Sequence, residues 1–148
     1  MTELQEEEKK NTRPELLKIL CILTFVGSGL ALFSDIFMFF TIDIIKEYFN
    51  NGLLDFLSKD MDAEVLEIIF NVNPIYFIFQ SILFALTIYG TYLMWNLKKI
   101  GFHLYTIGQI ILLILPQVFI PSLPFPTFNL LISLIFIFLY AKNLQYLT

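Results

Sequence analysis

The chain has 148 residues, of which 57% are hydrophobic and only 15% charged, with a mean hydropathy of +0.76; this lies outside the range of ordinary soluble domains and points to lipid as the solvent. Its formal charge of −4 is concentrated in residues 42–73, where seven acids face only Lys46 and Lys59, so nucleic acid is excluded as a partner. The single cysteine, Cys21, excludes an internal disulfide and a cysteine-based metal site, and it reads as a small apolar filler of the first span.

Residues 1–11, MTELQEEEKKN, are polar and lack apolar periodicity, which predicts a disordered cytoplasmic tail ahead of a single membrane domain over 12–148. Thr12, Pro14 and Glu15 then form a helix start: a hydroxyl cap, a proline that loses nothing in the first turn, and an acid answering the cap. From Ile19 to Ile42 the only charge is Asp35, and at about 1.5 Å per residue this stretch exceeds the roughly 30 Å of hydrocarbon it has to cross. A cleaved signal peptide is the competing reading, with Gly29 and Ala31 as the small pair of a cleavage region. The apolar run continues through Phe33, Ile36, Phe37 and Phe40, which favours a retained anchor.

Residues 43–73 are too apolar for a free linker, with Leu53, Leu54, Phe56, Leu57, Val65, Leu66, Ile68 and Ile69 at helical spacings. They are expected to fold back as one or two amphipathic helices on the outer side, the first interrupted at Asn50, Asn51 and Gly52, the second capped by Asp62 and running from Ala63 to Phe70. Such helices lie on the membrane, cover the mouth of a bundle, or dock a partner. Asp60, Asp62 and Glu64 alternate like the opening of a calcium loop, but Val65 replaces the glycine and Asn71 the closing glutamate, which argues against calcium.

Asn73 and Pro74 form a cap and first-turn signal before span two, 75–97, which has no charge. The apolar run resumes in span three, 100–120, and Lys98, Lys99 and Gly101 mark the division, because one helix from 75 to 120 would be about twice the bilayer thickness. Pro116 predicts a kink or early unwinding near the end of span three. Pro121, Pro124 and Pro126 make the next turn. Span four, 128–147, is interrupted by Lys142, whose ammonium is expected to snorkel to the headgroups so that Leu144 and Leu147 extend the apolar stretch; an interfacial helix is the alternative.

The fold class that follows is all-α: a polytopic membrane protein with four transmembrane helices in an up-down bundle and a short amphipathic helical segment outside. With both termini cytoplasmic, Lys9, Lys10, Arg13, Lys18, Lys98, Lys99 and Lys142 lie inside, and only Lys46 and Lys59 lie outside. Tyr92, Trp95, Tyr105, Tyr140 and Tyr146 then form an inner aromatic belt, with Tyr48 and Tyr76 at the outer interface.

Asp35 is the candidate for chemistry, because an ionised carboxylate is costly in hydrocarbon and intramembrane acids often mark proton or cation paths. Gln80, Gln117 and Ser133 fall at comparable depth and complete a candidate polar site in the outer half. The bland alternative is that Asp35 is a packing residue hydrogen-bonded to Gln80. Gly27, Ala31 and Ser34 recur at spacings of four and three and form a candidate helix-packing face, usable within the chain or between copies. His103 has no second ligand of metal type nearby and reads as an interfacial polar residue. There is no phosphate-binding glycine loop, zinc-protease helix or nucleophile elbow, so neither an enzyme nor a cofactor or metal is expected.

The segments RPELLKILCILTFVGSG and KKIGFHLYTIGQI resemble a group of small four-helix integral membrane proteins of Bacteroidota type. The resemblance covers spans one to three and implies a bacterial inner membrane; it carries over no activity or site residue. In span count and in the single acid of span one, the chain is also similar to small multidrug transporters, but its long outer segment and clear charge bias depart from their pattern. Two functions are therefore expected: an accessory subunit or assembly factor, whose partners are the lipid bilayer and other membrane-protein subunits or a second copy of itself, or a small transporter or channel component using Asp35. An envelope-stress or immunity-type role is a third reading, which the residues neither support nor exclude.

Overall fold

A computed structural model describes residues 13–53, 62–121 and 123–148. The tail over 1–11, the Thr12 cap and Asp60 lie outside them. The described residues form helices and no strand: α1 (Glu15–Asn50), α2 (Ala63–Asn71), α3 (Ile75–Trp95), α4 (Ile100–Phe119) and α5 (Thr127–Lys142), followed by a 3-10 turn at Leu144–Tyr146. Four segments, α1, α3, α4 and Thr127–Tyr146, are long and apolar enough to cross a membrane.

Helix α1 corrects the expected boundary. It does not stop at Ile42 but runs 36 residues to Asn50, so the first amphipathic stretch is its continuation rather than a separate helix. Nothing in 43–50 breaks a helix, and the chain turns only where Gly52 takes a left-handed φ of 73°. Along α1 the inward positions are Leu17, Cys21, Thr24, Ser28, Ala31, Asp35, Met38 and Ile42, alternating by four and three as in close antiparallel helix pairs. Helix α3 repeats the pattern with Tyr76, Gln80, Leu83, Thr87, Gly90 and Met94.

Helix α2 starts behind Asp62, whose main-chain carbonyl, not its side chain, accepts from Val65 and Leu66. Lys46 of α1 donates to the Val72 carbonyl at 2.6 Å, at the negative end of α2's dipole, and the Phe49 and Phe70 rings meet edge to face. A charge-assisted bond of this kind contributes about 1.5–3 kcal/mol. Lys46→Met is therefore expected to speed amide exchange over α2 by about tenfold or more while leaving α3 and α4 unchanged, as read by hydrogen exchange with mass spectrometry.

Asn73 accepts the Ile75 N–H through Oδ1 at 3.0 Å, which starts α3 at the asparagine–proline pair. At the other end of α3 the turn is made by a main-chain closure that includes Lys98. Leu97 occupies the left-handed region (φ 59°), with Leu97 N–H donating to the Met94 carbonyl and Lys98 N–H to the Leu93 carbonyl, the paired closure of a helix C-terminus. Gly101 is not part of this turn; it lies inside α4, where a Cβ would meet Gly90 O and, at 2.7 Å, Met94 N. Gly90 in turn faces the Tyr105 main chain, so the α3–α4 hairpin closes backbone to backbone.

Pro116 sits in α4 without ending it, and the helix continues to Phe119. At the end of the molecule that holds α2, Ile42, Val72, Tyr76 and Ile120 form one buried cluster. At the opposite end a second cluster gathers Leu17, Leu20, Cys21, Met94, Tyr105, Tyr140 and Leu147. Lys142 is exposed and lies over the Phe138 ring at 4.9 Å, and the apolar segment runs past it to Tyr146. Leu147 is buried in this cluster, where Thr148 pairs with the α3–α4 turn: its N–H donates to Leu97 O at 2.7 Å and its O accepts from Lys99 N at 2.8 Å. Tyr105 and Tyr140 are core residues rather than members of an aromatic belt, packed edge to face 4.9 Å apart, and Tyr76 is buried too. Tyr92 and Tyr48 are exposed, and Trp95 lies beneath the Arg13 guanidinium.

Candidate functional site

The seam between α1 and its neighbours is more polar than its sequence suggests at first sight. Thr24 and the Tyr140 hydroxyl are 2.9 Å apart, Thr87 donates to Phe84 O and lies 3.5 Å from the Ser28 hydroxyl, and Thr91 donates to Thr87 O. The Cys21 thiol lies 3.9 Å from Thr91 O, a weak contact suited to a buried filler. Thr87 and Thr91 thus return their donors to carbonyls three and four residues back, as threonine does in apolar helices, whereas the Ser81 and Thr106 hydroxyls are buried without a partner.

Toward the α2 end two acceptor oxygens stand open as well. Asp35 is 8% exposed, and its Oδ2 has no hydrogen-bond partner. Gln80 Oε1 is likewise buried and unpartnered. The α1–α3 register set by Cys21–Thr91 and Ser28–Thr87 brings Asp35 to the level of Gln80 and Tyr76, yet no bond joins acid and amide. Two acceptor oxygens left open at one level of the interior need a proton, a rotated amide or an outside donor to be satisfied.

The other two residues of the expected site go elsewhere. Gln117 Nε2 donates to Leu123 O at 3.3 Å and so ties α4 to the proline turn. Ser133 donates to Gln109 Oε1 at 2.9 Å, a partner that the sequence reading missed. Gln109 lies one helical turn from Tyr105 on the face that meets α5. The four residues thus form no single cluster.

What gathers Gln80 and Ser133 is a cavity of about 580 Å³ bounded by α3, α4, α5 and the proline turn. Tyr76, Gln80, Gln109, Asn129 and Ser133 are its polar lining; Asp35 and Gln117 do not reach it. The rest of the wall is apolar, with Phe84, Leu112, Leu113 and Ile132 prominent. A smaller cavity of about 160 Å³ adjoins it toward Thr24 and Ser28, and Gly27, Phe84, Gln109, Ile132 and Ser133 border both.

Gly27 takes part in this space rather than in close helix packing. A Cβ placed on it would meet nothing within 4 Å, Ser34 is exposed, and only Ala31 of the three faces the seam. Close approach inside the chain relies on Gly90, Gly101 and Gly108 instead. Among the described residues no group of three acids, histidines or cysteines could hold a metal ion, and His103 is exposed beside the Phe102 ring. No family model matches the chain, and no curated protein or solved structure matches it either.

Proposed function

We propose that the chain is a four-span integral membrane protein of a bacterial inner membrane, an up-down bundle with both ends in the cytoplasm, and that it works as a noncatalytic accessory or assembly subunit docked on a larger membrane complex. Membrane placement is supported by the four long apolar helices and by the large side chains they turn outward, such as Leu30, Phe33, Phe40 and Phe128. Orientation is supported by the lysines and arginine, seven of whose nine members fall on one side.

The observation that carries docking is the platform made by the last two turns of α1 and by α2. There Ile44, Tyr48, Val65 and Phe70 are exposed among the exposed acids Asp43, Glu47 and Asp62, on an element held in place by Lys46. A rigid surface of mixed apolar and acidic character outside the apolar spans suits a protein partner better than lipid. The test is a photo-crosslinking amino acid at Tyr48, with Phe128 on α5 as the lipid-facing control. A discrete adduct with another membrane protein from Tyr48 alone supports the reading. An adduct of twice the chain's mass identifies a homo-oligomer instead, and lipid adducts alone at both positions overturn docking.

A second reading has its own observation. The open oxygens of Asp35 and Gln80 are what a small transporter or channel component would use to pass a proton or cation. It requires a pH-driven flux in proteoliposomes that is lost in Asp35→Asn; no flux in the native protein eliminates it.

A further inference from the structure

We propose that the 580 Å³ cavity is a binding site for one neutral amphiphile, a molecule with an apolar chain and an uncharged hydroxyl, ester or amide head. Its volume falls within the roughly 300–1,000 Å³ usual for small-molecule sites, and it has their make-up: an apolar wall with a few polar groups at fixed places. The polar groups are hydroxyls and amides from Tyr76, Gln80, Gln109, Asn129 and Ser133, which offer both donors and acceptors. Among the described residues no carboxylate, ammonium or guanidinium lines the space, so a charged head would find no counter-charge there.

The chain keeps this space open by identifiable means. Gly27 contributes no side chain at the junction of the two cavities, and open space stands where its Cβ would be. The half of α5 that forms the wall is held to α4 by the Ser133–Gln109 bond, whereas the far half is anchored through Tyr140 and, beyond it, Leu147. The Gln80 amide keeps hydrogen-bonding capacity that the protein does not use, and rotation about its last bond offers that capacity to a ligand head. An apolar chain lies along Phe84, Leu112 and Ile132 while its head meets the Gln109–Ser133 pair.

This inference rests on the membrane placement but not on docking through Tyr48. It is tested in lipid nanodiscs with the full chain and a diazirine-bearing monoacylglycerol, alongside a probe of the same chain with a phosphate head. The neutral probe should label peptides within residues 109–133, and Gly27→Phe, which fills the cavity, should lower that labelling by about tenfold or more, equivalent to a tenfold loss of occupancy. Gly29→Phe places the same bulk on the same helix, also with nothing within 4 Å of its Cβ but away from the cavity, and should leave labelling unchanged. Gly27→Leu is the smaller filling variant if phenylalanine disturbs the fold. Equal labelling in the native protein and both Gly27 variants, or equal labelling by the phosphate-headed probe, overturns the proposal.

Discussion

Gly101→Leu is expected to abolish the folded state or to weaken it by more than about 3 kcal/mol, because the new side chain would have to displace main-chain atoms of α3 as well as the Leu93 Cβ. Its Cβ alone would lie on Gly90 O and 2.7 Å from Met94 N, and neither can move without separating α3 from α4. Gly27→Leu is the matched control. It adds the same atoms to a helical glycine with open space around it, and removing a glycine from a helix interior favours the helix by about 0.5–1 kcal/mol. Reversible unfolding in mixed detergent, followed by circular dichroism, should show the Gly101 variant unfolded at the start and the Gly27 variant at least as stable as the native protein. Equal stability of the two would mean that α3 and α4 do not meet at Gly90 and Gly101.

The second large effect is expected at Tyr140. Among the described residues it is the largest fully buried side chain, it joins Thr24 of α1 to Tyr105 of α4, and it holds the end of α5 in the core. Tyr140→Ala removes an aromatic ring from a close-packed site and should cost about 3–5 kcal/mol. Tyr140→Phe keeps the ring and loses only the bond to Thr24, so about 0.5–1 kcal/mol is expected, in line with hydrogen bonds inside helical membrane proteins. The ratio of the two effects distinguishes packing from hydrogen bonding. A larger loss in phenylalanine than in alanine would contradict the assignment of Tyr140 to the core.

Local punctuation made the element order legible in the sequence. Asn73–Pro74 starts α3 with a visible side-chain bond, and the run of prolines from Pro121 to Pro126 separates α4 from α5. Apolar stretches set approximate helix lengths but not their ends. Isoleucine and phenylalanine are as much at home beyond Ile42 as before it, so α1 continues to Asn50 until Gly52 releases the chain. The α3–α4 turn shows the same limit. Its left-handed residue is Leu97, to which no propensity points, whereas Gly101 beside it serves close packing.

The interior was partly legible too. The alternation of four and three through Cys21, Thr24, Ser28 and Asp35 marks the buried face of α1, and it separates this seam from the stripe through Gly27 and Ser34 one residue away. Attention to small residues alone marks a stripe that is not the α1–α3 seam. Tyrosine favours headgroups, which predicts Tyr105 and Tyr140 at the interface, but for Tyr140 a hydroxyl partner on another helix makes burial acceptable, and that partner depends on tertiary register. The same holds for Ser133, whose partner Gln109 emerges only once α4 and α5 lie side by side.

The most direct measurement is thiol mapping of single-cysteine variants in intact cells, in a Cys21→Ser background, with a membrane-impermeant maleimide. Asn51→Cys, in the exposed turn after α1, should react from outside; Lys98→Cys, in the exposed turn between α3 and α4, should react only after the membrane is opened. Reaction of both positions in intact cells, protection of Asn51→Cys, or release of the protein from membranes by alkaline carbonate would contradict a four-span protein with its ends inside.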